Sequence, residues 1–247
     1  MELQVRYFYT SHPGRVRRSN QDNFLLPGGK YLPGENRGTN GILQGSSALS
    51  QAPVFAVFDG MGGEAFGEVA AEIAASTLSE TDLSGDPVAA LRQMCFTANQ
   101  RICHRTEELG VAAMGTTAAI LHLTENAASL CNIGDSKIFA LSGGRFVQLS
   151  YDHLAVAPFG HKAPLSQSLG IPPEELIIDP FVAQGSFFAG DMFLLCSDGL
   201  TDMVAPERIG QILLTQSPEN AAGMLLQEAL QNGGKDNITF ILLLVTE

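Results

Sequence analysis

The chain has 247 residues, long enough to bury a sizeable core as one large domain. Apolar residues make up 45% and tryptophan is absent, the composition of an ordinary soluble globular protein. Acidic residues outnumber basic ones 26 to 14, for a net charge of -12; this argues against nucleic acid or an anionic membrane as main partner, since both reward a basic surface.

In chain order, Leu3–Tyr9 alternates loosely and suits a first strand. Asn23–Leu26 suits a second, cut off by Pro27-Gly28-Gly29. Residues 27–52 are rich in Gly, Ser, Asn and Pro and read as a long surface loop. VFAVF (54–58) is a buried strand that ends on Asp59 and a glycine-rich turn. Glu64–Leu78 is Ala-rich and helix-forming, and Pro87–Leu109 is a longer helix with apolar residues at helical spacing. Strands then follow at Thr117–Leu123, Ala127–Ile133, Lys137–Leu141 and Phe146–Leu149, an antiparallel meander with turns at Asn126 and Gly143-Gly144. Residues 150–190 are irregular and proline-punctuated, with 151–190 reading as a short flap-like segment. Met192–Cys196 is a strand, Pro206–Leu214 and Pro218–Gln231 are helices, and Ile238–Val245 closes the chain as a strand. Strands, a helix pair, strands again and then helices make a layered α+β order, not a parallel βαβ alternation.

Cys95, Cys103, Cys131 and Cys196 lack CxxC spacing and read as buried free thiols of a reducing compartment. The N-terminal MELQVRYFYTSHPGRVRR has no apolar core of a signal peptide, and the longest apolar run, Phe240–Val245, is too short to span a bilayer. A cytoplasmic protein is expected.

The chain has 11 aspartates, and five of them flank apolar strands. Asp59 follows VFAVF, Asp198 follows MFLLCS, Asp236 precedes NITFILLLV, Asp135 follows SLCNIG and Asp22 precedes NFLL. Taken singly, each reads as a turn former. If those strands are neighbours, their ends converge and the carboxylates share one space, which requires protons or cations. Short hard oxygen ligands suit Mg²⁺ or Mn²⁺, and no His/Cys spacing favours zinc. Arg17 lies just before Asp22, and a guanidinium near divalent ions fits a phosphate dianion. Arg15, Arg17 and Arg18 read equally well as a solvated basic cluster, and local sequence leaves both readings open. A P-loop is excluded, because the glycines after Asp59 have no GK[ST] continuation.

The segments GRVRRSNQDNF, VFAVFDGMGG, MGTTAAI, CNIGDSKIFAL, LLCSDGLTDMV and GGKDNITFILL run in this order from residue 14 to the C-terminus. Together they resemble the metal-dependent Ser/Thr protein phosphatases of type 2C, the PPM family, and its compact bacterial members in particular. The resemblance implies a four-layer α-β-β-α sandwich of two antiparallel sheets flanked by antiparallel helices. It implies hydrolysis of phosphoserine and phosphothreonine in proteins by a metal-activated bridging water, with no covalent phosphoenzyme. Two Mn²⁺ or Mg²⁺ ions are implied: Asp59 bridges them, the Gly60 carbonyl meets one, and Asp198 and Asp236 hold the other. Asp22 acts through metal-bound water, Arg17 binds phosphate, and a third ion seen in many family members falls to Asp135 with Asp198. Gln21 and Asn237 support these groups from behind. Partners implied are phosphorylated proteins, including substrates of a bacterial Ser/Thr kinase, and the chain itself is expected to be a monomer.

Three positions depart from the family pattern. Gln21 stands where many members have Glu, so the second ion loses a charge. Met61 stands where many eukaryotic members have a histidine general acid. The segment YDHLAVAPFGHKAPLSQSLGI (151–171) is an abbreviated flap, and its His153 and His161 read as exposed loop histidines. A non-catalytic phosphoprotein-binding domain, or a hydrolase of small phosphoesters on the same fold, are the competing readings.

Overall fold

The computed structural model describes residues 2–34, 38–61, 66–157 and 163–247. Strands β1 (Gln4–His12), β2 (Asn23–Leu25), β3 (Leu43–Ala48), β4 (Val54–Phe58) and the two-residue β5 (Gly60–Met61) precede helices α1 (Gly67–Ser79) and α2 (Pro87–Leu109). Next come β6 (Gly115–Thr116), β7 (Ala118–Leu123), β8 (Ala128–Ile133), β9 (Lys137–Ser142), β10 (Arg145–Gln148), β11 (Phe181–Gly185) and β12 (Met192–Cys196). Helices α3 (Asp198–Thr201), α4 (Pro206–Thr215) and α5 (Pro218–Gln231) lead to the last strand, β13 (Ile238–Thr246).

The strands form two antiparallel sheets, ordered β10-β9-β12-β13-β1-β3 and β11-β8-β7-β4-β2, plus a β5-β6 ribbon. The apolar runs are continuous because the central strands are covered on both faces. In β13, Ile241, Leu243 and Val245 pack between the sheets, while Ile238, Phe240 and Leu242 pack under α4 and α5. In β4, Phe55 and Val57 face the other sheet, and Ala56 and Phe58 face α1 and α2. The side-chain alternation of a strand thus serves two cores at once. Ala70, Ala71, Ala74 and Ala75 bring α1 close onto its sheet. The layer order is therefore the expected α-β-β-α sandwich.

Helix α2 is bounded by local chemistry. The Asp86 carboxylate accepts from the N–H groups of Val88 at 3.0 Å and Ala89 at 3.2 Å, Pro87 opens the helix, and Gly110 closes it at φ +64°. Helix α1 starts at Gly67, and the expected start at Glu64 lies outside the described residues.

Two expectations are corrected. The 27–52 stretch contains β3, an edge strand paired with β1. LQGSSA has little intrinsic strand propensity, so it takes its conformation from β1; Gly45 is needed there because a Cβ would lie 2.4 Å from the Tyr7 ring. The 150–190 stretch likewise holds β11, a half-exposed edge strand registered against β8, so the flap-like segment ends before it. Among the described residues no helix is long and apolar enough to cross a membrane.

Candidate metal centre

The acidic strand ends of both sheets meet at one pocket of about 300 Å³. Arg17, Gln21, Asp59, Gly60, Asp135, Asp198, Asp236 and Asn237 all line it, as do Met61 and Thr117. Asp59 leaves β4, Asp198 opens α3 directly after β12, Asp236 sits two residues before β13, and Asp135 lies in the β8–β9 turn. Asp22 is 1% exposed and lies behind this wall. All five strand-end aspartates are therefore brought together.

Asp59 is fixed through its backbone. Its N–H donates to Thr117 Oγ1 at 3.1 Å, and its carbonyl accepts from Thr117 N–H and Thr116 Oγ1, both at 2.9 Å. Thr117 is in turn tied to buried Ser136 by a 2.6 Å hydroxyl contact. Gly60 follows where backbones crowd: a Cβ there would lie 2.3 Å from the carbonyl oxygens of Gln21 and Gly67. Asp22 accepts from Ser197 Oγ at 2.8 Å, and Ser197 Oγ also accepts the N–H of Thr239 at 3.1 Å. The Thr239 hydroxyl reaches Ser11 Oγ at 2.8 Å, so a chain of buried hydroxyls supports this carboxyl.

Electrostatically the site is strained by like charge. Burial, ahead of the charges of Asp198 and Asp236, raises the Asp22 carboxyl to a pKa of about 7. Burial, then the charges of Asp22, Asp198 and Asp135, pushes Asp59 well above the usual carboxylate range. A positive charge is the remedy this arrangement calls for. Arg17 supplies one at the rim. It is 54% exposed and donates to Asp236 Oδ2 at 2.6 Å, and that bond raises its own pKa.

Asn237 ties the arginine-bearing loop to the start of β13. Its Nδ2 donates to the carbonyls of Pro13 at 3.1 Å and Ser19 at 2.9 Å, and its Oδ1 accepts from Gln21 N–H at 2.8 Å. The Gln21 amide donates to Glu68 Oε2 at 3.2 Å, in the first turn of α1. His153 corrects an expectation: it is 5% exposed, with its backbone N–H donating to the Gly134 carbonyl at 3.0 Å and its ring against Tyr151. It pins the flap-like segment to the turn that carries Asp135. His161 lies outside the described residues. Ser197, Thr239 and Ser136 were not among the sequence candidates; only their positions beside Asp198, Asn237 and Asp135 could have pointed to them.

The donor set fits a hard cation. Every candidate ligand is a carboxylate or a backbone carbonyl, and neither His nor Cys is among the residues described as lining the pocket. Among the described residues no three acidic, His or Cys side chains close into a finished cage. An open set of this kind suits Mg²⁺ or Mn²⁺, which retain several waters.

Fold and pocket together define an α-β-β-α sandwich with an oxygen-lined acidic centre where its two sheets end. Residues 43–231 match the sequence model of the family Protein phosphatase 2C. The chain is 30% identical to serine/threonine protein phosphatase PstP of Mycobacterium tuberculosis over 97% of its own length and 45% of that protein's. It is 31% identical to protein phosphatase PhpP of Streptococcus pneumoniae, over 76% of this chain and 84% of that one. A crystal structure of the PstP catalytic domain in complex with 2 manganese ions superimposes with a TM-score of 0.76 at 29% identity, covering 99% of this chain and 100% of that one. The chain belongs to the protein phosphatase 2C family. It spans less than half the length of the first of these relatives.

Proposed function

We propose that the chain hydrolyses phosphoserine and phosphothreonine in proteins with Mn²⁺ or Mg²⁺, residues 1–247 acting as one phosphatase domain. The observation that supports this most is the convergence of four aspartates from both sheets on one pocket, with Asp22 buried behind them and Arg17 at the rim. Asp59, Asp198, Asp236 and the Gly60 backbone would hold two ions, as many as the manganese ions in the PstP catalytic domain. Asp22 would support them from behind, and Asp135, which lines the same pocket as Asp198, would serve a third. When bound, the ions supply Lewis acidity to phosphoryl oxygens and lower the pKa of water.

The chain's own residues do the rest. Arg17 stays protonated, and its remaining N–H groups form a fork suited to phosphoryl oxygens. Asn237 and Gln21 hold the loop that presents it. Thr116 and Thr117 fix the Asp59 backbone, so the carboxylate is positioned before substrate arrives. The Met61 thioether has no proton to give, so the departing serine or threonine oxygen must take its proton from water or from another group of the site. The substrates this reading implies are phosphorylated cytoplasmic proteins, including targets of a Ser/Thr kinase, met by a monomer.

A non-catalytic phosphoprotein-binding domain would not need the full carboxylate set, yet Asp22, Asp59, Asp198 and Asp236 are all present. Phosphate release from phosphothreonine peptides, measured with Mn²⁺, with chelator and for Asp198→Ala, tests the assignment. The expected result is Mn²⁺-dependent release, with a loss of roughly a hundredfold or more in the variant. Absence of metal-dependent release from any peptide, by protein shown to be folded, would overturn it in favour of the binding domain.

A further inference from the structure

A larger cavity, about 550 Å³, lies between the C-terminal end of α2 and residues 168–175. Met61 lines both this cavity and the acidic pocket, so the two adjoin at that side chain. Its floor is apolar, with Met114 and Leu169 buried and Val111 and Ile171 partly exposed.

The groove is a built feature. Thr116 and Leu169 exchange two backbone hydrogen bonds, at 3.0 and 2.9 Å. Buried Asn99 on α2 accepts from the N–H groups of Gly170 at 2.7 Å and Ile171 at 3.1 Å, and donates to the Ile171 carbonyl at 2.9 Å. A Cβ on Gly170, at φ +101°, would lie 2.3 Å from the Met114 carbonyl oxygen, so only glycine allows this approach. The floor is thus set before any ligand arrives.

The rim is acidic. Glu107, Glu174 and Glu175 are exposed and line the opening. All three also act on one thiol inside it: burial raises the Cys103 pKa, and the three carboxylates raise it further. Three negative charges therefore surround one small apolar floor. The net charge of -12 over the whole chain adds to the same preference for cationic ligands.

We propose that this groove is the subsite for the residues flanking the phosphorylated one, taking an apolar side chain on the Met114–Leu169 floor and a Lys or Arg against Glu107, Glu174 and Glu175. The assignment rests on the phosphatase reading and gives that site its substrate class: phosphoserine or phosphothreonine next to an apolar residue and a base. The groove favours such segments by burying apolar area and by charge complementarity at a solvent-exposed rim.

The test compares phosphothreonine peptides carrying Leu-Lys-Arg or Leu-Glu-Asp on either side of the phosphoresidue, with p-nitrophenyl phosphate, which has no flanks, run alongside. Wild type is expected to favour the basic peptide by roughly tenfold in kcat/KM, mostly in KM, as several exposed ion pairs together allow. In Glu107→Gln/Glu174→Gln/Glu175→Gln that ratio should fall below about threefold, since the carboxylates that set it are gone. Hydrolysis of all substrates with a ratio near one in wild type, or a ratio unchanged in the variant, overturns the groove and leaves the phosphatase reading standing. Hydrolysis of none of them, with Mn²⁺ present and the protein folded, overturns both.

Discussion

Asp22→Asn is a nearly isosteric change that separates what the acidic centre costs the fold from what it does for binding. In chelator the wild-type carboxyl is buried with a pKa of about 7, against 3.8 in the unfolded chain. At about 1.4 kcal/mol per pKa unit, that difference costs the metal-free fold on the order of 4 kcal/mol above pH 7. The sign follows from the raised pKa. Between pH 3.8 and about 7 the folded state binds more protons than the unfolded one, so stability is greatest in acid and is lost as pH rises through about 7. The asparagine variant has no such titration. With one acceptor oxygen in place of two, it forgoes one of the bonds from Ser197 and Thr239, worth about 1–2 kcal/mol. In urea unfolding with chelator at pH 8, the variant should therefore be more stable than wild type by about 2–3 kcal/mol. Its advantage should shrink by a similar amount at pH 5. With saturating Mn²⁺ the order should reverse, because the ion stabilises only a folded state that binds it well. A variant less stable than wild type at pH 8, or an advantage that does not change with pH, would refute the view that burial, with like charge added, holds the Asp22 carboxyl at a raised pKa.

Three other outcomes are expected. Arg17→Ala should raise KM for phosphopeptides by roughly three- to tenfold while kcat changes less, since the guanidinium is half exposed at the rim; steady-state kinetics with unchanged KM would exclude the phosphate contact. Gly60→Ala should destabilise the fold by about 1–3 kcal/mol in urea, because the new methyl meets two backbone carbonyls at 2.3 Å; a neutral effect would mean the Asp59 turn is looser than its contacts indicate. His122 is 2% exposed, and burial lowers its pKa below 6.5. The unfolded ring protonates first as pH falls through 6.5, so this residue withdraws stability in acid. His122→Gln should raise the denaturation midpoint at about pH 5 relative to that at about pH 7 compared with wild type, and an unchanged difference would rule the residue out.

Much of the fold was legible because it depends on neighbours in sequence. The bounds of α2 follow from Asp86-Pro87 and Gly110, and the runs VFAVF and NITFILLLV are apolar throughout because both faces of their strands are covered. The edge strands β3 and β11 were not legible. Each has one pairing partner and a weak pattern of its own, so its state is set by β1 or β8 across the sheet. His153 was misread for the same reason: nothing in YDHLAVA announces that it packs on Tyr151 under the Gly134 turn.

By itself the sequence determined which residues could act: aspartates at the ends of apolar strands, an arginine ahead of one of them, and a fixed order of short motifs. Those are local facts of residue type, turn chemistry and period. The tertiary structure decided that four of the aspartates share one pocket with Asp22 behind them, and that Arg17 reaches Asp236, 219 positions away. It also decided that Ser11 and Thr239, 228 positions apart, close the hydroxyl chain behind Asp22. The groove beyond Met61 exists only because Asn99 and the Thr116–Leu169 bridge bring α2 and residues 168–171 together. A like-charged cluster gains nothing from its members' individual propensities. The packing of two sheets brings it together, and the burial that packing imposes raises the carboxyl pKa values.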